Sequence, residues 1–272
     1  MAQAQIDELW IYPIKSCRGI RLSSARLAAR GFAGDREWML VDAHDRFITQ
    51  RSHPQLAGIV PTLTQDSIAL TAAGHDELTL PRHERDLSGA ARTVQIWRDT
   101  VTSIDAGEQA ARWCSRVVGA PVRLVRATQE TRREPQAQWR DGHAAPVNFP
   151  DAFPLLVCNS ASLAELNRRM AASLPMSRFR PNVVISGPAA FAEDRIAGLR
   201  AGAVQLRLTK PCSRCSTTAV DQLTGIPGVD PLPALKEFRF NRELLGVMFG
   251  KNAVIASGVG EELREGTITS SD

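Results

Sequence analysis

Val204-Gln205-Leu206-Arg207-Leu208-Thr209-Lys210-Pro211-Cys212-Ser213-Arg214-Cys215 is the stretch on which the reading of this chain turns. Apolar Val204, Leu206 and Leu208 alternate with polar Gln205, Arg207 and Thr209. Successive side chains of a strand point to opposite faces, so this spacing predicts a half-buried strand. The strand runs directly into two cysteines three positions apart. A thiolate is a soft ligand that suits zinc, copper, iron–sulfur clusters or molybdenum. Tetrahedral zinc takes about four ligands, and an iron–sulfur cluster normally takes about four cysteines. Cys17, Cys114 and Cys158 are scattered singly, no second C-x-x-C exists, and no histidine pair has finger spacing. A thioredoxin-type redox pair stays open, because Lys210 and Arg214 favour a thiolate. That motif opens a helix, however, whereas β-branched Thr217, Thr218 and Val220 favour continued strand. Two structural cysteines in a turn are the plain alternative, and spacing does not choose between Cys212 and Cys215.

Outward from this stretch the chain reads as strand-rich. On the N-terminal side, short apolar or alternating runs at 6–12, 21–27, 37–42, 46–49, 67–71, 94–97 and 101–104 predict strands. The span from Glu108 to Val118 has helical spacing, with Ala111, Cys114 and Val118 on one stripe and Pro121 just beyond. Residues 127–150 are rich in Gln, Arg, Glu, Asp and Pro and read as a long loop that divides the chain. Beyond it, 155–158 and 182–186 read as strands. A helix follows Asn159 or Ser160 to about Ala172, and Ser162 and Glu165 have capping-box spacing. A short helix is expected at 232–238, with closing strands at 252–256 and 266–268. The expected fold class is α+β and β-rich, with barrel character.

Composition narrows the function classes. The chain has 272 residues, 43% hydrophobic and 23% charged, which is ordinary for a folded globular protein. A net charge of +4 points only weakly to an anionic partner, and no pattern points to nucleic acid. The basic residues are almost all Arg, for which codon bias is a sufficient explanation; Lys occurs only at 15, 210, 236 and 251. No apolar run approaches the roughly 20 residues that span a bilayer. The N-terminus lacks the basic start and apolar middle of a signal peptide. Five cysteines are too few for a disulfide scaffold and fit reduced thiols, so a cytoplasmic protein without membrane attachment is expected.

Three further segments carry candidate chemistry. Tyr12-Pro13-Ile14-Lys15-Ser16-Cys17-Arg18-Gly19 is a strand end and turn that can offer an ammonium, a hydroxyl and backbone N–H groups to a phosphate. A solvated turn explains it equally. In Gly31-Phe32-Ala33-Gly34-Asp35-Arg36, Asp35 can orient Arg36, or the two can form a plain surface ion pair. In Phe179-Arg180-Pro181-Asn182, Arg180 can clamp an anion and Asn182 can offer both a donor and an acceptor to a heterocycle. Ordinary loop-to-strand polarity is the alternative.

Taken in order, Leu9–Cys17, Asp35-Arg36, Ser160–Leu163, Phe179–Gly187, Cys212–Cys215 and Thr217–Asp221 resemble the MOSC family over nearly the whole chain. The likeness is greatest to the mitochondrial amidoxime-reducing components and their bacterial relatives. The resemblance implies a MOSC N-terminal β-barrel-like domain at 1–126 packed on a MOSC β-barrel domain at 127–272, with one molybdenum–molybdopterin cofactor between them. It implies Cys215 as the molybdenum ligand and catalytic centre. It implies Lys15, Ser16, Arg36, Arg180 and Asn182 as holders of the pterin and its phosphate, with Ser213 and Arg214 contributing beside the ligand. Pyridoxal phosphate binding is a further property ascribed to the family. The implied activity is reduction of N-hydroxylated compounds such as amidoximes and hydroxylamines, fed by a separate ferredoxin, flavodoxin or cytochrome b5-like donor.

The cofactor brings two dithiolene sulfurs, so one protein thiolate suffices. Buried anions need the cations Lys15, Arg36 and Arg180. Departures from the family pattern are the lack of a targeting or membrane segment and of an appended ferredoxin-like domain. Ala152 and Phe153 also stand where the family carries Thr and Ser. Asp151 and the 127–150 loop are candidate proton donors by position. A non-enzymatic cofactor carrier, and a sulfur carrier with a persulfide on Cys215, are the alternative functions.

Overall fold

In the computed structural model, which describes residues 3–271, the alternating stretch forms a strand spanning Val204–Ser213. Its apolar Val204, Leu206 and Leu208 are buried in the core, as the pattern requires. It pairs antiparallel with Gly198–Ala201 on one side and Gly246–Ser257 on the other. The sheet order is Leu155–Asn159, Val183–Ser186, Gln3–Ile11, Ile268–Ser271, Gly198–Ala201, Val204–Ser213, Gly246–Ser257. Leu155–Asn159 pairs again with Gly246–Ser257, closing seven strands into a barrel. Leu155–Asn159 and Val183–Ser186 run parallel. A parallel pair needs a crossover, and it includes the helix α1 (Ser160–Arg168). Ile6, Leu27, Leu155, Val157, Ile185, Leu206, Leu208 and Ile255 belong to the barrel core.

The fold class is therefore α+β and β-rich, as read from the sequence. The first strand, Gln3–Ile11, lies in a barrel whose other strands all come from residue 155 onward. Between these, the chain builds a four-stranded sheet of Trp38–Asp42, Val122–Ala127, Asp99–Asp105 and Ala91–Ile96. A three-stranded meander of Val60–Leu63, Ser67–Ala72 and His75–Pro81 stands apart from it in pairing. The helix at Glu108–Val118 joins the two: Ala110, Trp113, Cys114 and Val118 pack with Leu40, Ile68, Leu78 and Leu124. The expected boundary at 126/127 falls at the end of the Val122–Ala127 strand, and positions 1, 2 and 272 lie outside the described residues.

Several local expectations are corrected. The run 21–27 is two strands, Ile20–Leu22 and Ser24–Ala28, because they pair with different partners, Gln3–Ile11 and Glu262–Arg264. The run 46–49 makes isolated bridges only, Arg46 to Gln95 and Phe47 to Val41, so it forms no ladder with either neighbour. The helix after 159 is capped by Asn159, whose side chain accepts from the Ala161 N–H at 3.0 Å. Ser162 is not part of a capping box: it is buried and donates to Glu193, while Glu165 pairs with Arg168 and Arg169. That helix ends at Arg168 rather than near Ala172.

The loop 127–150 holds only a short 3-10 turn at Ala137–Trp139, yet it is pinned. Buried Arg133 donates to the carbonyls of Asn148 and Pro150 and pairs with Asp99 at 2.8 Å. Among the described residues, no helix is long and apolar enough to cross a membrane.

Barrel closure depends on Gly250, beside the Lys251–Val157 pairing. Its φ is +76°, and a Cβ there would lie 2.7 Å from the Cys158 sulfur and 2.9 Å from the Val157 carbonyl. Gly74 has nearly the same φ, +77°, with nothing within 4 Å of a Cβ. Both alanine substitutions incur the left-handed backbone cost of roughly 1–2 kcal/mol, but only Gly250→Ala adds steric overlap. Urea denaturation should show Gly250→Ala less stable than Gly74→Ala by about 1–3 kcal/mol, the usual cost of overpacking; equal midpoints would refute the closure argument.

Candidate functional site

The Val204–Ser213 strand ends at the cysteine pair, where the Arg214 N–H still reaches the Val247 carbonyl. The expected continuation through Thr217 and Val220 does not form. Both the Thr218 N–H and its hydroxyl donate to the Cys215 carbonyl, at 3.1 and 2.9 Å, and fold Ser216–Ala219 into a 3-10 turn. Local hydroxyl bonding thus outcompetes β propensity. No α-helix opens at the cysteines, so the setting of a thioredoxin-type pair is absent.

The turn distinguishes the two thiols, which spacing alone did not. Arg214 donates to the Cys212 sulfur at 3.0 Å and to the Phe179 carbonyl at 2.7 Å, and Cys212 is half-buried. Cys215 is exposed, with its sulfur 3.4 Å from the Thr217 hydroxyl. Both line a cleft of about 280 Å³, as do Lys15, Ser16, Arg36, Arg180, Asn182, Ser213 and Arg214. Sequence reasoning named these residues from four distant segments, and the fold brings them to one wall.

Arg36 is held by a buried network. It donates to both Asp35 oxygens, at 2.8 and 2.6 Å, to the Asn182 side-chain oxygen at 3.0 Å and to the Arg180 carbonyl at 3.2 Å. Asp35 is 3% exposed, so the pair is no surface ion pair. Burial pushes the Asp35 carboxyl up from its ordinary value, against the pull of Arg36. Arg180 donates to the Cys17 carbonyl and to Gln222. Burial draws its guanidinium down to about 10, which leaves it charged at neutral pH. Arg36 and Arg180 also lie over the ring of Tyr12, the chain's single tyrosine, 4.3 and 4.2 Å from its centroid. Cation–π contact of this kind fixes both cations.

Asn182 does not offer its amide to a ligand in the way its sequence position suggested. Its oxygen accepts from Arg36 and the Leu156 N–H, and its nitrogen donates to the Trp10 carbonyl. It locks the wall rather than facing outward.

Lys15 is buried and donates to the Phe149 carbonyl and to Asp151. Burial lowers its ammonium, and Asp151 works the other way. Desolvation opposes the Asp151 charge, but Lys15 and a bond from Trp97 overcome it and hold the carboxyl well below the ordinary range. Asp151 is therefore ionised at neutral pH and is no proton donor, contrary to the reading from position.

The cleft lining carries six cations, Lys15, Arg36, Arg51, Arg180, Lys210 and Arg214, against one carboxylate, Asp151. Its electrostatics favour an anion. Sequence reasoning missed Tyr12 as a support for the arginines, and also Arg51 and Trp97. Arg51 lies 4.7 Å over the Trp97 ring. Nothing local marked them, because each acts through a partner from another segment.

Residues 3–121 match the MOSC N-terminal beta barrel domain, and residues 144–272 match the MOSC domain. The chain is 33% identical over 248 residues to mitochondrial amidoxime reducing component 2 of Bos taurus, spanning 86% of this chain and 72% of that protein. It is 34% identical over 242 residues to mitochondrial amidoxime-reducing component 1 of Homo sapiens, with the same 86% and 72% coverage. Molybdenum cofactor sulfurase of Danio rerio is 29% identical over 259 residues, which is 89% of this chain but 31% of that longer protein. With both domain matches in order and a third of its residues shared across most of its length, the chain belongs to the MOSC family.

Proposed function

We propose that this protein is a molybdenum-cofactor oxidoreductase that reduces N-hydroxylated compounds, with Cys215 as the protein's one ligand to the metal. The observation that carries this reading is one exposed thiol on the wall of a cleft lined by six cations. The donor set fits such a cofactor. Among the described residues, no group of three or more His, Cys, Asp or Glu side chains could hold a metal ion. A metal that already carries its own sulfur ligands needs only a single soft donor from the protein.

Bound in the cleft, the cofactor supplies two-electron chemistry, turning N–OH into N–H and water with two electrons and two protons. The protein's residues do the holding. Arg36, Arg180 and Lys15 balance the pterin phosphate, about two negative charges at neutral pH. The Ser16 hydroxyl has no partner among the described residues and is free to bond an anion. Ser213 and Arg214 flank the ligand, and Arg214 keeps Cys212 engaged. Electrons come from a separate ferredoxin, flavodoxin or cytochrome b5-like protein. The names of the amidoxime-reducing relatives support the substrate class, and that of the sulfurase relative supports the cofactor.

Elemental analysis and pterin fluorescence of purified protein test the cofactor, and benzamidoxime reduction with a chemical reductant tests the activity. Cys215→Ala should lose molybdenum-dependent turnover entirely, while Cys212→Ala keeps a measurable part of it; full activity in the Cys215 variant would sink the assignment. Molybdenum without turnover would identify a cofactor carrier instead, and a persulfide without molybdenum a sulfur carrier. Arg180→Gln should lower the molybdenum content several-fold with an unchanged far-ultraviolet dichroism spectrum, since it removes a charge-assisted contact of roughly 1.5–3 kcal/mol. A fully loaded Arg180→Gln protein would take that residue out of the phosphate site.

A further inference from the structure

Resting on the reductase reading, we propose that Asp151 selects and orients the substrate. Its free Oδ2 accepts an N–H from the amino group beside the N–OH, as in an amidoxime or N-hydroxyguanidine, and afterwards faces the amidinium or guanidinium product.

Three observations carry this. Asp151 is the single carboxylate among the lining residues of the cleft. Its side chain is 71% exposed there, although it is firmly anchored. Both anchoring donors, the Lys15 ammonium at 2.5 Å and the Trp97 indole N–H at 3.2 Å, reach the same oxygen, Oδ1. No described group donates to Oδ2. The carboxylate is thus fixed through one oxygen and presents the other.

The anchors come from different parts of the fold. Lys15 follows the first barrel strand, and Trp97 sits in the turn between Ala91–Ile96 and Asp99–Asp105. Trp97 has φ 55°, a left-handed conformation rare outside glycine, and remains 40% exposed. Its ring packs on Phe47 at 4.9 Å. An exposed indole held in a strained conformation, with its N–H on the carboxylate, fits a positioning role. The loop just before Asp151 is fixed too, since Arg133 holds the Asn148 and Pro150 carbonyls.

An ionised carboxylate accepts hydrogen bonds and donates none. It therefore favours substrates that carry an N–H next to the reacting nitrogen over N-oxides, which have none. The product amidinium is cationic, so the carboxylate holds the product more tightly than the neutral substrate.

The test uses molybdenum-loaded protein, with the metal content of each preparation measured. Benzamidine, the amidinium product of benzamidoxime, is titrated by calorimetry into wild type and Asp151→Asn. The dissociation constant should rise roughly ten-fold or more in the variant, the usual effect of losing a hydrogen bond to a charged group. The preference for benzamidoxime over an aromatic N-oxide, taken as a ratio of kcat/KM values, should fall by a similar factor, mainly through KM. An unchanged benzamidine affinity would overturn the proposal. So would a loss of molybdenum in Asp151→Asn parallel to the loss of binding, because Asp151 would then serve only Lys15 and the cofactor. Wild-type protein that holds molybdenum and reduces benzamidoxime, yet ignores benzamidine, would defeat this inference and leave the reductase reading intact. Wild-type protein without molybdenum would defeat both.

Discussion

The buried pair of Asp35 and Arg36 is the constraint on which the cleft depends. Asp35 accepts the Tyr12 N–H as well as two bonds from Arg36, and Arg36 reaches on to Asn182 and the Arg180 carbonyl. Segments near residues 12, 36 and 181 are thereby clamped into one unit. A buried carboxylate and guanidinium are each costly alone, and removing one partner of such a pair costs about 3–5 kcal/mol. The pair is tolerable because nearly every polar atom in it is bonded. The positive field of the cleft is therefore assembled during folding, and an arriving anion need not reorganise it.

Backbone strain falls in the same place. Of eight non-glycine residues with positive φ among the described residues, four line the cleft: Ser16, Arg36, Trp97 and Arg180. Each such conformation costs on the order of 1–3 kcal/mol and survives only where its surroundings over-determine it. Here the surroundings are the hydrogen bonds of Arg36 and Arg180 and the contacts of Trp97 with Phe47, Arg51 and Asp151.

Much of this was legible in the chain, and the remainder has a common cause. The alternation at 204–208, the helix at 108–118 and the loop at 127–150 follow from local pattern, because period and turn chemistry are properties of neighbours in sequence. The grouping of Lys15, Ser16, Arg36, Arg180 and Cys215 came from resemblance, not from spacing. What stayed hidden was non-local. The pairing of Leu155–Asn159 with Gly246–Ser257 leaves no local mark. The difference in surroundings between Cys212 and Cys215 depends on Arg214, whose aim is set by the Phe179 carbonyl. Asn182 was read as facing a ligand because its bonds to Trp10, Arg36 and Leu156 cross the whole fold. Asp151 was read as a proton donor because its ion pair with Lys15 spans more than a hundred residues.

The first strand, Gln3–Ile11, hydrogen-bonds to Val183–Ser186 on one edge and to Ile268–Ser271 on the other. A ribosome releases that segment long before either neighbour exists. The sheet can then be sealed only when strands far apart in sequence meet. Contacts of such long sequence separation carry a large loop-closure cost and slow folding. The cysteine-bearing turn, at the end of a strand of the same barrel, acquires its finished surroundings only when that pairing is made.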